Sequence, residues 1–424
     1  MPSMNKRISF SLLLLLTIFN AFPQSFHLEL SDSTYTATGD SINGQRSGFW
    51  VFKNQYDQVH ASGFYQNGVQ DSTWTRYKFR EIRELIELKN GIREGQYLGY
   101  DDYGVILTRA NFKNDVLEGP YYEYYNSGVV GLAGHYENGL KDSTWIEYNQ
   151  YGRENFIKRY ENGQPHGEWV FYYYNSSKIQ RTESYESGVE HGKWTHYYKN
   201  ASIQREYVYK KGLLHGPYKE YYDDGTVSAE GSYLFGLKNG VWISLIHGGN
   251  VYSIGEYKND LKTGLWKYFH ENGALESEGK FVSGLKHEQW ITYYPSGKLK
   301  SIGAYYNDVK NGLWGYFYEN EQIIQDENWN MGRLIDIGDY YSVKGEVLPK
   351  GDFANGNGTR MTYYENGKLK SSERYLNGYA HGTWVYYYEN GAKASEGEFK
   401  NNLQTGTWKY YNKRGKVRET RDFD

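Results

Sequence analysis

Short runs in which aromatic or aliphatic residues alternate with polar residues occur in pairs along almost the whole chain. In the clearest pair, the runs 383–388 and 393–399 are separated by Asn390-Gly391. Alternation with a period of two is typical of a β-strand. Asn-Gly between two such runs indicates a tight hairpin turn, because a type I′ turn requires positive φ at both central residues. The pattern therefore predicts β-hairpins.

The predicted hairpin recurs about every 24 residues, which indicates a repeat protein whose units bury apolar surface only against their neighbours. A tryptophan marks the same place in most units, and tyrosine, glycine or arginine takes that place in the others. The sixteen marker residues are Trp50, Trp74, Tyr97, Tyr121, Trp145, Trp169, Trp194, Tyr218, Trp242, Trp266, Trp290, Trp314, Gly338, Arg360, Trp384 and Trp408.

The strand period assigns side chains to faces. Residues two apart share a face, so the marker lies on one face and the residue three positions later lies on the other. That third residue is aromatic in nearly every unit, and we call the two faces the Trp face and the Tyr face. Because exposed apolar surface often marks an interaction site, we predict a binding surface made of Tyr172, Tyr197, Tyr221, Tyr293, Phe317, Trp329, Tyr341, Tyr363 and Tyr387.

The predicted fold class is all-β. Connections this short join only antiparallel neighbours, so the chain is expected to form an elongated single-layer antiparallel meander of about 16 stacked β-hairpins. The predicted boundaries are a signal peptide at residues 1–25, an N-terminal cap at 26–48, the repeat array at 49–411 and a C-terminal half-unit cap at 412–424.

Three segments depart from the repeat. Residues 78–89 lack the glycine found in the middle of other units and could form a helix, but the flanking turns keep the register and favour a strand. Residues 201–211 carry one extra residue, which we interpret as a β-bulge. Residues 328–360 are the most degenerate and leave three alternatives open: a hinge, a binding site or sequence drift.

The N-terminal segment and the composition narrow the function. Lys6 and Arg7 precede an apolar run over residues 8–19, which is typical of a secretory signal and too short to span a bilayer comfortably. Removing both charges changes the formal net charge from −3 to −5. There is no basic stripe of the kind that nucleic-acid binders carry, and cysteine is absent, so disulfides cannot stabilise the protein. We expect export and no nucleic-acid partner.

Candidate catalytic and metal-binding residues are weak. Five histidines lie three residues before the marker, where other units have Asp, Asn or Thr, as a turn position would. Equivalent residues in successive units are about 10 Å apart, too far to share one ion. No nucleophile motif and no singled-out carboxylate pair occurs. We predict no enzymatic activity, no metal site and no cofactor. The histidines are His166, His191, His215, His287 and His381.

The motif Tyr-x-Asn-Gly-x-x-x-Gly-x-Trp-x-x-Tyr-x-x-x-Gly, found at residues 375–391, resembles the MORN repeat and, more closely, its bacterial variant. The resemblance extends over roughly residues 39 to 424. It implies stacked β-hairpins in one elongated sheet. Many bacterial proteins with this variant repeat are assigned as antitoxins of toxin-antitoxin systems, so the resemblance also implies that role.

Our first functional hypothesis is an exported, non-enzymatic scaffold that binds another protein along its sheet, with a toxin as the partner that the resemblance implies. The alternative is a structural or carbohydrate-binding protein of the cell envelope, because tyrosine and tryptophan rings stack on sugars. Beyond export, membrane association is not expected, since an acidic protein gains little from anionic lipid. The predicted location is the periplasm, the cell envelope or the medium.

Overall fold

The computed structural model describes residues 36–423, so the predicted signal peptide and the first part of the predicted N-terminal cap lie outside the described residues. Two compact units are distinguished by their internal contacts: unit 1 ends at His191 and unit 2 begins at Gly192. All regular elements of residues 36–423 are β-strands, and no helix in this range could cross a membrane.

Unit 1 consists of sixteen strands, each paired antiparallel with its neighbours in the chain. They are β1 Thr36–Ile42, β2 Gln45–Lys53, β3 Val59–Gln66, β4 Val69–Lys78, β5 Glu81–Lys89, β6 Ile92–Tyr100, β7 Ile106–Lys113, β8 Val116–Leu117, β9 Gly119–Tyr124, β10 Val130–Glu137, β11 Leu140–Tyr148, β12 Glu154–Glu161, β13 Gln164–Pro165, β14 Gly167–Tyr172, β15 Ile179–Glu186 and β16 Val189–Glu190.

Unit 2 continues the same antiparallel pattern, with one interruption after β30. Its strands are β17 Gly192–Tyr197, β18 Ile203–Lys210, β19 Leu213–Tyr221, β20 Val227–Leu234, β21 Leu237–Lys238, β22 Gly240–Leu245, β23 Val251–Lys258, β24 Leu261–Phe269, β25 Leu275–Val282, β26 Leu285–Tyr293, β27 Leu299–Tyr306, β28 Val309–Phe317, β29 Ile323–Asn330, β30 Arg333–Ile337, β31 Tyr340–Tyr341, β32 Val347–Leu348, β33 Gly358–Tyr363, β34 Leu369–Leu376, β35 Tyr379–Tyr387, β36 Lys393–Lys400, β37 Leu403–Tyr411 and β38 Val417–Phe423. The predicted all-β meander of hairpins is confirmed.

The core of eight repeats is a tryptophan whose ring packs against a glycine of the preceding strand. In the unit marked by Trp290, a Cβ atom added to Gly279 would come within 2.2 Å of the indole. The Lys286 ammonium lies 4.4 Å from the centre of that ring on its other side, and Trp290 is only 3% exposed. A single-layer sheet can therefore bury its largest side chains between backbone and lysine, without a second layer.

The same tryptophan also compensates a backbone irregularity. After Gly279 the pairing shifts, because Gly279 pairs with Trp290 but Lys280 pairs with His287. The indole N–H of Trp290 donates to the carbonyl of Lys280 at this shift, at 3.2 Å. Equivalent bonds, each to the carbonyl ten residues earlier, are made by Trp74, Trp145, Trp169, Trp242, Trp266, Trp314, Trp384 and Trp408.

The observed strands decide the predictions for two of the three irregular segments. Residues 81–89 form strand β5, so the strand interpretation is confirmed. The β-bulge interpretation of residues 201–211 is wrong, because the register shift there is the one found in every regular unit. The extra residue lies in the turn after β14. There the Tyr173 N–H donates to the carbonyl of Lys178, five residues later, whereas the equivalent bond in other repeats spans four residues. An exposed turn can accept a residue without disturbing the ladder.

The third irregular segment is an excursion from the sheet of unit 2. The regular ladder ends at β30, a two-stranded ribbon follows, and pairing resumes at β33. The two-residue turns that join one repeat to the next nevertheless remain hydrogen bonded to one another across this region: Gly356 N donates to the carbonyl of Ile335, and Gly378 N donates to the carbonyl of Gly356. The turns thus stay stacked where the strands do not.

Candidate interaction surfaces

Each of the nine predicted binding residues lies in a different repeat, except that Phe317 and Trp329 share one. All nine are half-buried. Strand alternation places seven of them on the Tyr face, whereas Tyr341 lies in the separate ribbon β31–β32, beyond the strand that ends before its marker Gly338. A shallow hollow of about 400 Å³ on this face of unit 1 is lined by Phe49, Val51 and Tyr77. Phe49 stands one position before a marker, Val51 one position after a marker and Tyr77 three positions after a marker. Because all three line the same hollow, these positions share a face.

Hydroxyl groups on the Tyr face are held by glutamates of the neighbouring strands. Tyr221 donates to Glu206 at 2.9 Å, and Tyr293 lies 3.5 Å from Glu278. Burial, together with the Glu206 carboxylate, raises the pKa of Tyr221 to about 12. Glu278 is also paired with Lys267 at 3.2 Å. The tyrosine rings are therefore fixed in place and present their apolar edges rather than free hydroxyls.

In unit 2 the Tyr face also carries exposed aliphatic side chains one position before the marker. Val241, Leu265 and Leu313 are exposed, and Leu313 keeps 69% of its surface accessible. Between them, the cross-strand pairs Ile243–Ile254 and Ile291–Ile302 add further apolar surface. These apolar side chains alternate with polar ones on the same face, since Val241, Leu265 and Leu313 pair across the strands with Glu256, Lys280 and Asn328.

Trp329 lies apart from the other predicted residues, on the Trp face in a buried ionic cluster. Its indole N–H donates to Glu327 at 2.8 Å, and the Lys310 ammonium lies 3.5 Å from the same carboxylate. Glu327 is 3% exposed and also forms an ion pair with Arg360. Trp329 is therefore a packing residue of this cluster.

The cluster occupies the place of a missing tryptophan. Arg360 stands at a marker position, and Glu327 and Glu373 each stand eleven residues before a marker, where regular units have glycine. The Arg360 guanidinium lies 3.8 Å from Glu373, and Gln325 accepts a further hydrogen bond from it at 3.1 Å. Glu373 also accepts from Ser371, at 2.7 Å. Charges on neighbouring strands thus replace the indole-on-glycine contact.

Stability is expected to depend on pH through Glu327. Burial favours the neutral acid, but Arg360 and Lys310 outweigh burial and lower the pKa of this carboxyl. A lowered folded-state pKa stabilises the fold above the unfolded pKa of about 4.3, and the contribution is lost as pH falls through the folded value. We expect the melting temperature to fall below about pH 4.3, and to fall less steeply in a Glu327→Gln variant. Equal slopes for the two proteins would contradict this prediction.

A row of exposed apolar residues, which the predicted strand faces do not include, lies at the edge of the sheet where two-residue turns join one repeat to the next. Its members stand five residues before the marker, directly after the turn, and are between 37% and 73% exposed. An apolar residue recurs at this position in the sequence, but the position belongs to the turns and not to either strand face. The row consists of Val69, Ile92, Val116, Leu140 and Val189 in unit 1, and of Leu213, Leu237, Leu261, Leu285, Val309, Tyr379 and Leu403 in unit 2.

Five consecutive turns of unit 2 extend this row into what we call the turn-edge patch. Successive turns are hydrogen bonded, as in the bond of 2.8 Å from Gly236 N to the carbonyl of Leu214 and the bond of 2.9 Å from Gly284 N to that of Lys262. The apolar side chains therefore follow one another along a continuous edge. The patch comprises Leu213, Leu234, Phe235, Leu237, Leu261, Val282, Leu285, Tyr306 and Val309.

The five histidines make local contacts only. His166 and His191 lie 3.2 and 3.3 Å from glutamates at the ends of the preceding strands. The rings of His215 and His287 pack on Phe235 and Tyr306. Within residues 36–423, no three side chains of the metal-binding types come together.

The similarity of this chain to solved structures is very low. No curated protein matches the chain. Among solved structures, the crystal structure of TcdB2-TccC3-Cdc42 is 10% identical, covers 91% of this chain and 26% of that one, and has a TM-score of 0.14. The crystal structure of TcdB2-TccC3 is 10% identical over 91% of this chain and 29% of that one, with a TM-score of 0.11. The chain spans about a quarter of the length of these chains, and scores this low support no conclusion.

The family comparison agrees with the hairpin geometry. Five segments match the MORN repeat variant: residues 214–234, 262–282, 289–308, 357–377 and 380–401. Each segment corresponds to one hairpin of unit 2, from β19–β20 to β35–β36. The matches support a protein built from MORN repeats of the variant type.

Proposed function

We propose that this protein is an exported, non-enzymatic scaffold that binds another protein along the Tyr face of unit 2. MORN-type repeats suggest a repeat-based binding scaffold, and a long, regular surface is the usual binding device of such proteins. The two faces differ in what they leave available. Most tryptophans of the Trp face are buried, as Trp290 is between Gly279 and Lys286, whereas the Tyr face keeps some apolar side chains accessible.

The observation that carries the proposal is the exposure of Leu313, Leu265 and Val241 beside the aromatic row. Val241 and Leu265 lie one repeat apart, and Leu313 lies two repeats further on. Exposed aliphatic residues on one face favour a protein partner, since exposed apolar surface often marks an interaction site. Phe317 and Tyr293 provide the neighbouring rings. Fixed aromatic rings lose little conformational entropy when they bind, which suits them to act as anchors.

The proposal is tested by crosslinking in intact cells. A photoreactive phenylalanine analogue at position 313 should capture one partner reproducibly, while the same analogue at Tyr103, an exposed turn residue of unit 1, should not. With that partner purified, Leu313→Asp together with Leu265→Asp is expected to weaken binding by more than about tenfold, or ~1.4 kcal/mol. Tyr103→Asp is the matched control and should bind as the unchanged protein does.

Two results would contradict the proposal: equal crosslinking at positions 313 and 103, or binding that is indifferent to both leucine substitutions. Separating the cells into cytoplasm, envelope and medium in the same experiment tests the predicted export. Recovery of the protein only from the cytoplasm would contradict it.

The antitoxin role stays a prediction that derives from the resemblance. A crosslinked partner that stops growth when expressed alone, and permits growth when this protein is coexpressed, would support the role. The alternative of carbohydrate binding also stays a prediction. It requires binding to glycans on an array that is lost when Tyr293 and Phe317 are replaced by alanine, and an array without any binding would dispose of it.

A further inference from the structure

The turn-edge patch differs from the corresponding edge of unit 1 in the residues that end the second strands. In unit 1 most of these residues are charged, as at Lys89, Lys113 and Glu161. In unit 2, Leu234, Val282 and Tyr306 stand at this place and are exposed. A sheet edge is ordinarily protected by charge. That charge is missing at three of the five turns of the patch, while Lys210 and Lys258 keep it at the other two, and the three apolar ends require an explanation.

Phe235 provides a second, independent sign. It occupies the first turn position with a φ of +51° and is 68% exposed. In unit 1 this left-handed position holds asparagine at six turns, from Asn43 to Asn162, and serine at Ser187. A bulky side chain is disfavoured in this conformation, and asparagine tolerates it. Phe235 therefore carries a conformational cost, and most of its ring stays exposed even though it packs against the His215 ring.

We propose that the turn-edge patch binds the same patch of a second copy of the chain, across a two-fold axis at the turn formed by residues 259–261. This interaction goes beyond the proposed function, because it uses the turn edge and leaves the Tyr face free for another protein. A two-fold interface brings each patch against itself in the opposite direction.

The spacing of the row favours a second copy over other occupants. Successive turns are two strands apart, which is about 9.6 Å. An α-helix lying along the row would present equivalent side chains once per heptad, which is every ~10.5 Å. These side chains would therefore shift by about 1 Å relative to each successive turn of the row. Another copy of the patch has the same spacing and stays in step over all five turns.

Charge complementarity determines the position of the axis. With the axis at residues 259–261, Lys258 of each copy faces Asp260 of the other, and Lys211 faces Asp308. The turn that contains Phe235 then meets the apolar turn of Val282 and Leu285. Moving the axis by half a period would instead bring Lys211 against Arg333, which is unfavourable because like charges repel.

The surface available is of adequate size. From their exposed fractions, the side chains of the patch offer on the order of 700 Å² per copy, close to the roughly 800 Å² per partner of a stable interface. Because the contacts are apolar with a few rim charges, we expect association to persist at high salt, with rim charges altering the association rate more than the affinity.

The test uses the absence of cysteine from the full chain. Leu261→Cys places a thiol near the two-fold axis and should give a crosslinked dimer under mild oxidation or with a short bismaleimide. Leu403→Cys, at the same repeat position and more exposed, should give none. Sedimentation of the unchanged protein should yield twice the 49.5 kDa chain mass, or twice that of the processed chain.

Two substitutions complete the design. Leu261→Glu should give monomers, and Leu403→Glu should leave the dimer intact. Phe235→Asn restores the residue type that the turn prefers, so it should fold at least as well and still shift the dimer toward monomer by about tenfold in dissociation constant. An unchanged protein that is monomeric at all concentrations, or a dimer that survives both Leu261→Glu and Phe235→Asn, would overturn the proposal. So would equal crosslinking through positions 261 and 403.

Discussion

Replacing Arg360 by methionine is expected to lower the free energy of unfolding of the region that contains it by about 3–5 kcal/mol. The guanidinium is the shared partner of Glu327 and Glu373, and both carboxylates are buried. Lys310 would still compensate Glu327, but no cation in the cluster would lie next to Glu373. Denaturant unfolding followed by tryptophan fluorescence measures the loss, since Trp329 lies within the cluster.

Two comparisons separate this effect from the simple loss of a charge. Arg421→Met removes an exposed arginine that is paired with Glu419, and it should change stability little, because water screens such pairs. Combining Arg360→Met with Glu327→Gln and Glu373→Gln should recover part of the lost stability, since no uncompensated charge remains buried. If the triple variant is less stable than the single variant, the cluster does not act through its charges.

Replacing Gly279 by valine is the second large effect that we expect, a destabilisation of about 3 kcal/mol. A Cβ atom at this place would lie 2.2 Å from the Trp290 ring, which is enclosed by Lys286 on its other side. The indole must therefore leave the strand surface and give up its hydrogen bond to the carbonyl of Lys280. A lower denaturation midpoint and an altered Trp290 emission are the measurable consequences.

The matched control for this substitution is Gly315→Val. Gly315 lies in a first strand, and a Cβ atom there would meet the edge of Phe317 at 3.2 Å and Ile302 at 3.7 Å, but no indole ring. Valine has a high preference for strands, so little loss is expected. A partial rescue is available in Gly279→Ala with Trp290→Tyr, a combination that the chain itself uses at Ala110 and Tyr121. Equal losses at positions 279 and 315 would contradict the packing explanation.

The fold could be derived from the sequence because every unit repeats the same local signals. Asn390-Gly391 indicates a turn, the alternation around Trp384 indicates a strand, and repetition removes ambiguity that a single copy would leave. The extra residue was assigned to residues 201–211 but lies in the turn after β14, since counting along the chain does not distinguish a longer turn from a bulge. The interaction between turns is likewise invisible to an analysis that considers strand faces alone.

The ionic cluster could not be predicted for a different reason. Arg360 was recognised as the residue at a marker position, but its partners Glu327 and Glu373 lie 33 residues before it and 13 residues after it. Only the ladder geometry of unit 2 shows that both carboxylates converge on one guanidinium. Trp329, expected at the binding surface, is drawn into this cluster by the Glu327 carboxylate.

The turns that stay bonded through Gly356 give unit 2 a natural place to gain sequence. Residues 338–357 leave the strand ladder and return to it, yet Ile335, Gly356 and Gly378 remain joined by their backbones. A peptide tag or a small domain introduced into the ribbon between β31 and β32 would lengthen a detour without moving the hairpins on either side. The same tolerance would allow evolution to graft new segments here while the flanking repeats are conserved in register.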